Sequence, residues 1–176
     1  AQLPLRGTIT QAAGANTIVR TPDGTVAFFD GSRMLRFTTA GVASAFGGAT
    51  PTPVDATFAS LFPAGTTISS VAVRCGTTVG IAVGGRLLPF ASSAVQSAYG
   101  LTHTTMPAAL CATLQAGPAA TQYVSVDGQT WLVANGQRRQ LLTQRAIDRL
   151  GAPLTGITPV STDVLAMLPV GTPIER

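Results

Sequence analysis

The chain has 176 residues, enough for one domain or a tight array of small modules with a real core. Only 10% of the residues are charged, and the net charge of +4 comes from eleven arginines and no lysine. The arginines are scattered apart from Arg138-Arg139, unlike the clustered stripe of a nucleic-acid binder, and no apolar run approaches the ~20 residues of a membrane span.

Strongly apolar segments (VAFF, VGIAV, WLVA) recur at regular spacing, which excludes a disordered chain. Ala1-Gln2-Leu3-Pro4 opens without Met and reads as a mature N-terminus left after signal-peptide removal, a start that a trimmed chain would share. Residues 3–9, LPLRGTI, match a phrase that closes each later module. They are expected to be the remnant of a preceding repeat end, able to close a ring or cap a short stack.

The first module, about 10–68, starts with an apolar strand at Thr17–Arg20 and a turn at Asp23-Gly24. The strand VAFF follows, then a second turn at Asp30-Gly31 and a third strand, Arg33–Phe37. Asp-Gly, Gly-Gly and Asn-Gly suit two-residue hairpins because they adopt positive φ cheaply. After Thr38-Thr39, suited to an N-cap, a short helix is expected, ending at Gly47. A Pro/Thr-rich loop then leads to a second helix over 55–62, stopped by Pro63.

The second module, about 69–120, repeats this order. Thr25–Gly47 aligns without a gap on Thr78–Gly100, with ten of 23 residues identical. A third copy, 130–151, follows at an offset of 52 in the module 121–174, one residue shorter before its final Gly. LFPAGTTI (61–68), TLQAGPAA (113–120) and MLPVGTPI (167–174) close the three copies. Three copies at this period indicate a repeat architecture. The fold class is α+β: a single domain of three pseudo-symmetric repeats, each a three-stranded β-meander followed by two short helices, sharing one core.

Cys75 and Cys111 are the only cysteines, an even count that fits one disulfide in a secreted protein, with two buried thiols as the alternative. A bridge would close a loop of about 35 residues and contribute about 3–4 kcal/mol. Two thiols and the distant His103 lack any zinc spacing, so neither metal nor cofactor is expected.

Arg33, Arg86 and Arg138 follow the second turn in each copy. Their planar guanidiniums could bind carboxylate or phosphate on a polymer, or could bond turn carbonyls and neighbouring carboxylates. Phe37/Phe90/Leu142 and Phe46/Tyr99/Leu150 are expected core positions. Trp131, aligned with Val26 and Val79, is either a stacking platform for a sugar ring or a core residue in a wider gap. His103, the only histidine, sits in a loop expected to face solvent, and no GxSxG elbow is present. Asp23, Asp30 and Asp127 fall in turns, and Asp55 and Asp163 fall at the starts of second helices. No catalytic constellation emerges.

The pattern of an apolar strand, G-x-R-x-x-F/L, a capped helix and L-P-x-G-T-x-I resembles a tandem repeat of about 52 residues in secreted actinobacterial cell-surface and cell-wall-associated proteins, where it is read as a surface or wall-binding accessory. The middle copy departs from it at Gln115-Ala116-Gly117-Pro118. The function expected is a non-catalytic secreted module binding cell-wall or extracellular polysaccharide, with Arg33, Arg86, Arg138 and Trp131 as ligand-binding residues. The alternative is a protein–protein interaction element, an adhesin or surface-assembly subunit, which a large exposed apolar patch would favour.

Overall fold

In the computed structural model, residues 8–48, 50–151 and 156–175 are described. The segments 10–68, 69–120 and 121–174 are called here the first, second and third modules. The first contains β1 (Thr17–Arg20), β2 (Val26–Phe29), β3 (Met34–Arg36), α1 (Ala40–Ala45), β4 (Thr52–Pro53) and α2 (Ala56–Ser60). The second contains β5 (Ala72–Cys75), β6 (Thr78–Val83), β7 (Arg86–Pro89), α3 (Ser93–Tyr99), β8 (Thr104–Thr105), α4 (Ala108–Thr113) and β9 (Gln115–Ala116). The third contains β10 (Tyr123–Val126), β11 (Gln129–Ala134), β12 (Gln137–Gln140), α5 (Gln144–Arg149), β13 (Thr158–Pro159) and α6 (Thr162–Ala166).

The fold is mixed α+β, with three small sheets and six short helices among the described residues. The sheets are ordered β3-β2-β1-β4, β8-β5-β6-β7-β9 and β12-β11-β10-β13. In each, three antiparallel strands form the expected meander, and a two-residue strand pairs in parallel with the first of them: Val19 with Thr52, Val73 with Thr104, Val124 with Thr158. The closing phrase lies along the other edge, through the bridges Met34–Ala64 and Phe37–Ile68, through β9 and Phe90–Ala120, and through Arg138–Val170 and Leu141–Ile174. The parallel strands are an addition to the expected meander. Thr52-Pro53 and its counterparts are too short to carry a period in sequence.

Five of the six described helices start where a hydroxyl or a carboxylate satisfies a free N–H group, and α4 starts at Pro107 without such a cap. Thr39, Ser92 and Thr143 accept from Val42, Val95 and Ala146 (3.1, 3.2 and 3.1 Å). Asp55 accepts from Phe58 (2.7 Å) and Ser161 from Val164 (3.4 Å). Asp163 is a first-turn residue of α6, as expected.

One buried cluster draws on all three modules, including Phe28, Leu35, Ile81, Leu88, Tyr99, Val133 and Leu168. A second cluster belongs to the first module alone: Val19, Ala27, Phe29, Met34, Val54 and Phe58. Two expected core positions are instead exposed, Leu142 at 46% and Leu150 at 39%. Leu141, at 6%, takes the buried place, because it bridges Ile174 as Phe37 bridges Ile68 and Phe90 bridges Ala120.

Successive modules join in a shared way. The N–H of Gly85, in the second module's hairpin, donates to the Ala45 carbonyl at the end of α1 (2.9 Å). Gly136 N–H, in the third module's hairpin, donates to the Ala98 carbonyl of α3 (2.8 Å). Module three meets module one differently, through α6 against α1. Of the repeat-end remnant at residues 3–9, expected to close a ring or cap a stack, residues up to 7 lie outside the described residues, and Thr8 and Ile9 have no regular structure.

Candidate functional site

Strand register decides which residues occupy matching places. Aligning the modules on Val19, Val73 and Val124, each paired to its parallel strand, puts Ala27, Gly80 and Trp131 directly opposite them on the second strand. Trp131 therefore matches Ala27 and Gly80, not Val26 and Val79. Arg33 and Arg86 match Gln137, while Arg138 matches Met34 and Leu87. The third copy is offset by one residue from the gap-free sequence alignment, and a one-residue slip in a strand turns every side chain to the other face.

The four candidate residues do not form one surface. Arg33 is exposed and pairs with Asp30, Nε to Oδ2 at 3.1 Å. Asp30 also accepts from the N–H groups of Ser32 (2.8 Å) and Arg33 (2.9 Å). Partial burial opposes ionisation of Asp30, but these hydrogen bonds outweigh it and hold its pKa at about 2. Arg86 is exposed at the start of β7. Arg138 is half-buried with its guanidinium carbon 5.7 Å from the centroid of the Trp131 ring, a cation–π geometry. Trp131 is itself half-buried against the main cluster, and its indole nitrogen and Arg138 Nε are buried without partners among the described residues. Arg138 thus covers the ring on which a sugar would have to stack.

His103, expected in solvent, is half-buried, and its Nε2 lies 3.1 Å from Arg74 Nη2. Arginine has only donors, so this ring nitrogen is the acceptor. Cys75 and Cys111 are joined, tying β5 to α4. No group of three or more potential metal ligands occurs among the described residues. No helix among them is long and apolar enough to cross a membrane.

What sequence reasoning missed is a groove in the first module between its sheet and α2, with a volume of about 320 Å³. Ala27, Met34 and Ala59 line its floor and walls with Phe62, while Thr21, Asp23 and Arg36 form a polar rim. Phe62 is held by Phe29 and Phe58, with ring centroids 4.4 and 5.0 Å away. Asp23 accepts from Thr21 Oγ1, from the Thr25 N–H (3.1 Å) and from Thr25 Oγ1 (3.2 Å). The Thr21 hydroxyl foremost, then the Thr25 amide, pulls its pKa below the ordinary carboxylate value.

The groove exists because small residues coincide there. Thr21 and Ala59 correspond to Cys75 and Cys111 in the second module, where the disulfide occupies the space, and to Val126 and Leu165 in the third. Val126 and Leu165 are buried, and Trp131 stands at the register position that Ala27 holds in the first module. The same site is cross-linked in one module, filled in another and open in the first.

No protein-family model matches the chain, and no characterised protein matches it by sequence. Among solved structures, it is similar to a chain of the periplasmic assembly from the ESX-5 inner membrane complex, with 16% identity over 95% of this chain and 62% of that one, at a TM-score of 0.27. A chain of the intact ESX-5 inner membrane complex is similar at 17% identity, over 94% of this chain and 54% of that one, with a TM-score of 0.26. This chain spans less than two thirds of either.

Proposed function

We propose that the chain is a non-catalytic protein-interaction element of an extracytoplasmic or surface assembly, built from three pseudo-symmetric repeats of the tandem kind that its sequence resembles. The observation that carries this reading is the groove of the first module, an apolar floor with a polar rim, open at the one place where the other two modules are closed. A concave apolar floor edged by a few polar groups is the shape in which a guest is usually bound. The disulfide supports an oxidising, extracytoplasmic setting. Binding of polysaccharide through the arginines and Trp131 has less support, since Arg33 is paired to Asp30 and Arg138 lies over the Trp131 ring.

The test is parallel retention of exported proteins and of insoluble peptidoglycan and polysaccharides by the immobilised chain. Retention of a defined protein that Ala59→Leu abolishes supports the reading. Salt-sensitive retention of a glycan, lost in the triple Arg33/Arg86/Arg138→Gln variant, overturns it.

A further inference from the structure

We infer that the groove of the first module receives an aromatic side chain, tryptophan foremost, from its protein partner; this rests on the docking reading above. The chain carries its own precedent. At the register position of Ala27 the third module places Trp131, whose indole packs against the cluster that includes Val164 and Leu165 of α6, with the Arg138 guanidinium 5.7 Å from its ring centroid. An indole entering the first module from outside would take the equivalent place, between the same strands and α2.

The lining suits a ring more than an aliphatic chain. Phe62, braced by Phe29 and Phe58, offers an aromatic wall for an edge or offset stack. Met34 stands at the Arg138 position and offers a thioether, which packs well against ring edges. Arg36 sits directly across from Ala27 in the strand register, so its guanidinium can cover a bound ring as Arg138 covers Trp131. Among the described residues Asp23 Oδ2 accepts only from Thr25 Oγ1, so it has capacity for an indole N–H. The second module cannot take the same guest. Its position opposite Val73 is Gly80, where even a methyl group would lie 2.2 Å from the Leu88 carbonyl oxygen, and the Cys75–Cys111 bridge occupies the space beyond.

The experiment is a titration of the ¹⁵N-labelled chain with N-acetyl-tryptophanamide, followed by amide shifts, with N-acetyl-leucinamide as the aliphatic control. The expected result is saturable, millimolar movement of the Thr25, Ala27, Ala59 and Ala64 amides with the tryptophan probe. The leucine probe should bind about tenfold more weakly. Ala27→Trp, filling the groove from the sheet, and Ala59→Leu, filling it from the helix, should each abolish the response, while Arg86→Gln should keep it. If Ala27→Trp does not fold, Ala59→Leu carries the control. Equal response to both probes overturns the aromatic assignment and leaves the docking reading standing. Movement elsewhere, or none with either probe, overturns both.

Discussion

Gly100 and Gly136 are in direct contact across the junction between the second and third modules: a methyl group on Gly100 would lie 2.9 Å from the Gly136 Cα. The last turn of α3 is therefore laid onto the hairpin of the third module with no room for a side chain, and the Gly136 N–H reaches the Ala98 carbonyl as a result. The junction between the first and second modules copies this, with Gly47 against Gly85. Close approach of backbone to backbone is what fuses the modules into one body.

Gly151, just past the end of α5, has the left-handed conformation that Gly100 has at the end of α3, with a φ of 62° against 60°, but among the described residues a methyl group there would meet nothing within 4 Å. Gly151→Ala should therefore cost only the left-handed strain, about 1–2 kcal/mol. Gly100→Ala should cost about 1–3 kcal/mol more, because the obstructing atom is backbone and cannot step aside. Urea unfolding of both variants measures the difference; equal losses would mean that the junction is pliable.

The Cys75–Cys111 bridge spans 36 residues. Replacing both cysteines by serine should lower stability by about 3–4 kcal/mol through the freed unfolded chain. Chemical denaturation with and without reductant gives the value. Amides of β5 and α4 should lose exchange protection ahead of those in the third module.

Asp55 caps α2 and also accepts from the Thr10 and Gln11 N–H groups, strapping the segment before β1 to the helix. The Phe58 amide foremost, then those of Gln11 and Thr10, hold its pKa at about 2 against an ordinary 3.8. A depressed folded pKa stabilises above the unfolded value, so the strap is intact above 3.8 and is released as pH falls through about 2. Amide shifts of Thr10, Gln11 and Phe58 should titrate together in that window, and Asp55→Asn should remove the transition.

The two ends of the series differ from its internal junctions. Ala45 and Ala98 are buried under the next hairpin, whereas Arg149 stands exposed in the same place on α5. At the other end the Ser32 N–H, which matches those of Gly85 and Gly136, is already bonded to Asp30 Oδ1 at 2.8 Å. A large cation and a self-satisfied donor both discourage head-to-tail stacking. The triple variant Asp30→Ala, Ser32→Gly, Arg149→Ala should self-associate more strongly than the wild type with rising concentration in sedimentation equilibrium.

Much of the local structure was legible in the residues. The hairpin pairs at Gly84-Gly85 and Asn135-Gly136 and the hydroxyl caps Thr39, Ser92 and Thr143 follow from local chemistry that needs no tertiary context, while the disulfide was suggested by the even count of cysteines. The register of the third copy was not legible. The sequence matches Arg138 to Arg86, whereas the ladder pairs Ala134 with Gln137 and puts Arg138 on the other face. The groove was hidden for a different reason. It arises from Ala27 and Ala59 meeting across the layer between sheet and helix, and small residues carry no signal until their partners in space are known.

Contact between the first-module groove and a protein partner can be caught by site-specific photocrosslinking in the producing cell. A photoreactive residue at Ala59 should give one discrete protein adduct that Ala27→Trp eliminates, while the same residue at the exposed Ser93 on α3 gives none. No adduct from position 59, or the same adducts from both positions, would mean that the groove meets no partner.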